Sequence, residues 1–160
     1  MKLFVLGATG KMGSEIVSLA LSRGHEVTAF VRSPEKLSPA SALTIVKGVE
    51  AMTTSGVPRL VIISAAVLFP EKGLYFAFFR WLTKHHARDL RGMEAIVRSS
   101  GLAWTIARPP RLTRSPDTTF RAARDAVPPG SRVMSFRSVA AFMLEAAERQ
   151  SHIREVVGLG

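Results

Sequence analysis

Three glycines, Gly7, Gly10 and Gly13, stand between an apolar run, Lys2 to Leu6 (KLFVL), and a stretch of helical periodicity from Lys11 to Arg23. The order strand, glycine loop, helix admits few folds, because each glycine has a separate steric task. Gly7 lets the chain turn off the strand. Gly10 leaves its backbone open to a ligand, and Gly13 lets the helix lie against the strand. The first N–H groups of a helix have no partner within it and attract phosphate. The loop Gly7-Ala8-Thr9-Gly10-Lys11-Met12-Gly13 is therefore the candidate cradle for a dinucleotide's pyrophosphate. The competing reading is a tight turn that holds nothing.

The rest of the chain continues the alternation. Strands are expected at Glu26 to Val31, Leu43 to Val46, Arg59 to Ala65, Leu102 to Ala107, Ser131 to Phe136 and Ile153 to Leu159. Helices are expected at Val49 to Ser55, at Thr83 to Ser100 with Leu90, Met93, Ile96 and Val97 inward, and at Ser138 to Arg149 with Val139, Phe142, Met143 and Ala146 inward. A short helix is a further expectation at Thr119 to Ala126. This pattern predicts an α/β, Rossmann-like, doubly wound and mostly parallel sheet in one domain spanning residues 1–160.

Composition excludes several classes. There is no cysteine, hence no disulfide framework, thiolate metal site or thiol nucleophile. No apolar run reaches the roughly 18 residues of a membrane span. Residues 1–6 lack the features of a secretion signal, so a cytoplasmic protein is expected. The net charge of +10 raises nucleic acid as a partner. The arginines are scattered from Arg23 to Arg154 with no nucleic-acid motif among them, so an anionic small molecule fits better. His85-His86 face different ways on a helix, and no metal is expected. A homodimer is compatible with the sequence.

The residue closing the second strand selects the cofactor. An acid there would hold a ribose 2′-hydroxyl, as NAD(H) needs. Val31-Arg32-Ser33 stands there instead. Arg32 can grip a 2′-phosphate bidentately, with Ser33 and Lys36 nearby, so NADP(H) is favoured over NAD(H).

The stretches LFVLGATGKMGSEIV, VTAFVRSPEKL, VEAMTTSGVPRLVIISA, MEAIVRSSGLAWTIARPPRLT and SVAAFMLEAA resemble the atypical short-chain dehydrogenases/reductases. Within these, the NAD(P)H-binding, NmrA-like and flavin (biliverdin-IXβ) reductase-like proteins are the most similar. The resemblance implies that Ser64 and Ala65 lie near the nicotinamide, with Ser64 the one candidate catalytic residue. It also implies that Pro109 and Pro110 shape that pocket. Arg111 stands where the flavin reductase has a histidine.

Two departures matter. Relatives carry a longer segment, including a fourth strand, between the third strand and the helix that begins here near Val49. Val46-Lys47-Gly48 runs straight into that helix, so the fourth strand is expected to be absent and Leu60 to Ser64 to pair directly beside Leu3 to Leu6. The Tyr-x-x-x-Lys dyad of many relatives is missing as well, because Phe79 stands four residues after Tyr75, the only tyrosine.

These readings predict an oxidoreductase that passes a hydride from NADPH to a flavin, a quinone or a similar planar acceptor, with Arg111, Tyr75 and Phe76 as candidate substrate contacts. The alternative is a non-catalytic NADP(H) sensor of the NmrA-like kind. Leu74 to Leu82 reads equally as a lid, a partner surface or core. Asp89 and Glu94 are read as solvated helix charges, and Trp104 as core.

Overall fold

In the computed structural model, residues 1–30, 43–46, 59–69 and 84–160 are described, with backbone alone for 30, 43–46 and 84–87. Strand β1 (Lys2–Leu6) leads through the glycine loop into helix α1 (Lys11–Ser22). Gly13, Val17 and Ala20 of α1 recur at helical spacing and are buried. Strands β2 (Glu26–Phe30) and β3 (Leu43–Val46) follow. The order β1-β2-β3 is parallel throughout, with Leu3 opposite Val27 and Val27 opposite Leu43.

A second sheet has the order β4-β5-β9-β7. Strands β4 (Arg59–Ile63), β5 (Ala103–Arg108) and β9 (Glu155–Leu159) run parallel, as expected for consecutive strands joined by helices. Helix α2 (Lys84–Ser99) precedes β5, and α3 (Phe136–Glu148) precedes β9. Strand β7 (Ala122–Arg124) lies antiparallel on the edge of β9. The expected helix at Thr119 to Ala126 is therefore corrected to a strand. Eight residues are marginal for an isolated helix, and the open edge of β9 offers a ladder instead. Arg111–Thr113 (β6) and Val133–Ser135 (β8) form a parallel pair.

Helix α3 buries the four inward residues expected of it. On α2, Val97 is buried and Leu90 and Met93 are partly so, but Ile96 is turned out and is 73% exposed. At about 100° per residue Val97 falls within about 20° of Leu90 around the helix and Ile96 about 120° away, so Val97 shares the inward stripe and Ile96 does not.

The expected pairing of Leu60 to Ser64 beside Leu3 to Leu6 is not made. Among the described residues β1 pairs only with β2, and β4 only with β5. Helices α1 and α3 span the break. Leu144 of α3 joins Val5, Val17, Ala20, Val27 and Ala29 in one core. Val61 and Ile63 of β4 pack on a second core with Phe142, Met143 and Ile16. Strands β5 and β9 are mostly buried, all five residues of β4 are half-buried, and of β1 only Val5 is buried.

Candidate functional site

The glycine loop has the geometry its sequence requires. Gly7 adopts φ +67°, a left-handed conformation that side chains rarely tolerate. The turn is closed by the Gly10 N–H donating to Gly7 O at 2.8 Å. A Cβ on Gly13 would stand 2.7 Å from Ala8 Cα and closer still to Gly7 O, so α1 rests directly on the loop. Gly10 is the N-cap of α1, with no side-chain cap, and no acidic residue occupies the first turn. The N–H groups there are left for an anion. Ala8 is buried, Thr9 half-buried, and Gly7, Gly10 and Lys11 face outward.

A second group forms where β4 and β5 end. The parallel ladder continues past both strands: the Ser64 N–H donates to Ala107 O at 2.7 Å, and the Ala66 N–H to Pro109 O at 2.9 Å. Ser64, Ala65, Pro109 and Pro110 are thereby held together. Ser64 is 8% exposed, and its Oγ is buried with no hydrogen-bond partner among the described residues. A buried hydroxyl without a partner costs about 1–3 kcal/mol, so one placed here is suited to a ligand group. Met12, in the first turn of α1, packs on the cluster that holds Ala107, Ile63 and Leu112. Met12 thus ties the glycine loop to the core beneath the Ser64–Pro109 group, and each group lies at the carboxyl ends of its own strands, the side on which an open parallel sheet binds ligands.

Behind Ser64 is a side chain read wrongly from sequence. Glu94 is not a solvated helix charge: it is 3% exposed. Arg108 grips it bidentately, Nε to Oε1 at 2.9 Å and Nη2 to Oε2 at 2.7 Å. Arg98 adds a longer contact of 3.6 Å. Arg108 also stacks its guanidinium 4.6 Å from the Phe69 ring centroid. Burial pushes the Glu94 carboxyl up, but the Arg108 hydrogen bonds, the nearby Ser64 and the charges of Arg108 and Arg98 together hold it below its usual range. Ser64 acts there by proximity, since its Oγ makes no hydrogen bond of normal geometry. The signal was present in the sequence. Glu94 lies four residues after Leu90 and three before Val97, on the apolar stripe of α2, where a carboxylate requires a buried cation. Asp89, by contrast, is exposed as expected, and Trp104 is buried.

Arg111 opens β6 directly after Pro110 and is exposed. Arg32, Ser33, Lys36, Tyr75, Phe76 and the rest of Leu74 to Leu82 lie outside the described residues, as do the side chains of His85 and His86. Among the described residues no three His, Asp or Glu side chains gather as metal ligands, and no helix is long and apolar enough to cross a membrane.

The residues present fit a dinucleotide. The loop is a cradle that a side chain at Gly10 would begin to fill, since a Cβ there would lie 3.2 Å from Gly7 O. The Ser64–Pro109 group adds a buried hydroxyl with no hydrogen-bond partner among the described residues.

Comparison with known proteins agrees with this geometry. The described fold is similar to the oxidoreductase ylbE from Lactococcus lactis, with a TM-score of 0.82 at 14% identity over 99% of this chain and 90% of that one. A short-chain dehydrogenase/reductase from Veillonella parvula in complex with NADP gives 0.79 at 17% identity, covering 99% and 94%. A candidate NADH-flavin reductase from Streptococcus pneumoniae gives 0.78 at 20%, covering 99% and 98%. At such identities the likeness is one of fold. In sequence, 57 residues are 40% identical to the uncharacterized protein YwnB of Bacillus subtilis, a match spanning 36% of this chain and 27% of that protein. The profile of the NAD(P)H-binding family matches in two pieces, residues 7–50 and 44–150, which meet just after β3. With the glycine cradle inside the first piece and the Ser64–Pro109 group inside the second, the chain belongs to the NAD(P)H-binding family.

Proposed function

We propose that this protein is an NADP(H)-dependent oxidoreductase that reduces a flat, electron-poor acceptor such as a flavin or a quinone. The observations that carry the reading are the uncapped glycine cradle and, at the joined ends of β4 and β5, a buried Ser64 hydroxyl with no hydrogen-bond partner among the described residues. Backbone N–H groups of Gly10 to Gly13 hold the pyrophosphate. Arg32, Ser33 and Lys36 read the 2′-phosphate, and Ser64, Ala65, Pro109 and Pro110 position the nicotinamide. Arg111, Tyr75 and Phe76 are the acceptor contacts this reading assigns.

When bound, NADPH supplies a hydride; the acceptor takes it together with one solvent proton and leaves reduced, with NADP⁺ as the other product. The chain's own part is to orient two rings and exclude water. A flavin or quinone accepts its proton from solvent, so the reaction needs no Tyr-x-x-x-Lys dyad. Glu94 and Arg108 hold the strand ends from behind and touch no reactant. The test is NADPH oxidation in the presence of a flavin, a quinone or dichlorophenolindophenol. Turnover with at least one acceptor is expected, and none across the panel overturns the catalytic reading.

A second reading, a non-catalytic NADP(H) sensor, is favoured by one observation. Among the described residues β1 and β4 share no ladder, so no strand-to-strand hydrogen bonds join the glycine loop to the Ser64 group. It predicts measurable NADPH affinity by calorimetry and no turnover.

A further inference from the structure

A cleft of about 400 Å³ opens beside the first turn of α1, next to the glycine loop. Its walls are the first turn of α1 (Lys11, Ser14, Glu15), the segment after β6 (Arg114) and the start of α3 (Phe136, Arg137). The cleft has three cations and one carboxylate. Glu15 stands 3.6 Å from Arg137. Among the described residues, no carboxylate forms an ion pair with Lys11 or Arg114. The next acid along the chain, Asp117, accepts hydrogen bonds from the Thr119 N–H and Oγ1. The Thr119 backbone bond, the largest contribution, holds the Asp117 carboxyl below its usual range. That charge is therefore committed within its own turn.

The cationic wall is anchored. Ser135 and Ser138 at the start of α3 are 4% and 2% exposed. Both hydroxyls donate to the Asp117 carbonyl, and Ser135 Oγ also accepts from the Ser138 N–H at 2.7 Å. Buried bonds of this kind hold the segment carrying Arg114 beside α3. Position matters as well. Strand β6 carries the chain from Arg111, next to the Pro110 of the group assigned to the nicotinamide, to Arg114, a rise of about 10 Å over three residue steps.

We propose that this cleft seats an anionic tail, a phosphate monoester or carboxylate, of the acceptor whose ring lies over the nicotinamide. The proposal rests on the oxidoreductase reading for the position of that ring, and it names the acceptor class: a planar ring bearing an anion about 10 Å away. Arg114 and Arg137 contact the tail through charge-assisted hydrogen bonds, and Glu15 opposes it.

The test compares two probes with the same ring, flavin mononucleotide and riboflavin. Binding is read by quenching of flavin fluorescence with the protein held at saturating NADP⁺, alongside NADPH-driven reduction of each. The mononucleotide is expected to bind about tenfold or more tightly at low salt, with the margin shrinking as salt rises. The double substitution Arg114→Gln/Arg137→Gln, checked for folding by its melting temperature, brings the ratio to within about threefold. Glu15→Gln raises it. Equal affinities in the wild type, a ratio that survives the double substitution, or no binding of either probe overturns the proposal. So does a preference that appears only without NADP⁺, which would place the phosphate in the glycine loop. A retained preference without any reduction upholds the anion seat and overturns the catalytic reading. Turnover of both flavins at equal affinity does the reverse.

Discussion

Alanine at Gly10 and alanine at Gly13 are expected to fail in different ways, and the difference tests whether the loop exists to hold a ligand. A Cβ at Gly13 would lie 2.7 Å from Ala8 Cα and from Gly7 C. Ordinary contact begins near 3.4 Å, so backbone must move by about 0.7 Å or more on a helix whose facing residues are already packed. Overpacking of that kind costs about 1–3 kcal/mol, offset in small part by the better helix propensity of alanine. In a domain of this size each kcal/mol moves the melting temperature by about 2–4 °C, so Gly13→Ala should melt roughly 3–10 °C lower. At Gly10 the added Cβ meets only Gly7 O at 3.2 Å, and the residue faces outward. A shift of a few tenths of an ångström accommodates it. Gly10→Ala should therefore melt within about 2 °C of the wild type, yet lose at least tenfold in NADPH affinity, because the methyl occupies the space the pyrophosphate needs. Thermal denaturation followed by circular dichroism gives the first quantity, and calorimetric titration the second. Undiminished NADPH affinity in Gly10→Ala would show that the cradle is only a turn. Unchanged melting in Gly13→Ala would refute the contact between α1 and the loop.

Other outcomes follow from the same packing. The guanidinium of Arg59 donates to the carbonyls of Ala103 at 2.8 Å, Ser151 at 2.6 Å and Ala146 at 3.3 Å, and to Thr105 Oγ1 at 2.6 Å. Arg59→Leu leaves those acceptors short of a donor and should cost about 2–4 kcal/mol, read by urea denaturation, with little change in NADPH affinity. Glu94 has a carboxyl held below its ordinary 4.5 in the folded state. Its contribution is complete above that value and is lost as pH falls through the folded one, because the unfolded chain takes up the proton first. Wild-type stability should thus fall more steeply below pH 4.5 than that of Glu94→Gln; parallel melting curves would exclude Glu94 as the cause. Arg32→Glu should remove any preference for NADPH over NADH in calorimetric titration, and an unchanged preference would mean that Arg32 does not read the 2′-phosphate.

The parts legible from sequence were those set by local patterns. The glycine spacing predicted a sharp turn at Gly7 and a close helix, and apolar runs of strand length predicted β1, β2, β4, β5 and β9. The run Val139, Phe142, Met143 and Ala146 correctly predicted the buried face of α3. What escaped notice depends on contacts distant in sequence. Glu94 and Arg108 are fourteen residues apart on different elements, and only a stricter reading of the α2 stripe would have placed a carboxylate inside it. Strands β6 and β7 are three residues each and owe their form to the edges they meet, which no local propensity encodes. Arg114 and Arg137 resemble any of the scattered arginines until the fold brings them to one cleft.

The absence of direct pairing between β1 and β4 changes what holds the site together. A continuous parallel ladder would fix the glycine loop relative to Ser64 through hydrogen bonds from strand to strand. Among the described residues that route is missing, and the link runs through side chains instead: Met12 and Ile16 of α1 pack on the core of the second sheet, and Leu144 of α3 packs on the core of the first. Apolar packing is not directional, so a seam of this kind fixes distance better than angle. The two halves of a dinucleotide, one on the glycine loop and one beside Ser64 and Pro109, would then act as a brace across the seam. A ligand that bridges both sheets adds its own binding free energy to the stability of the assembled state. The coupling is reciprocal: by whatever factor bound cofactor favours the assembled seam, the assembled seam favours the cofactor.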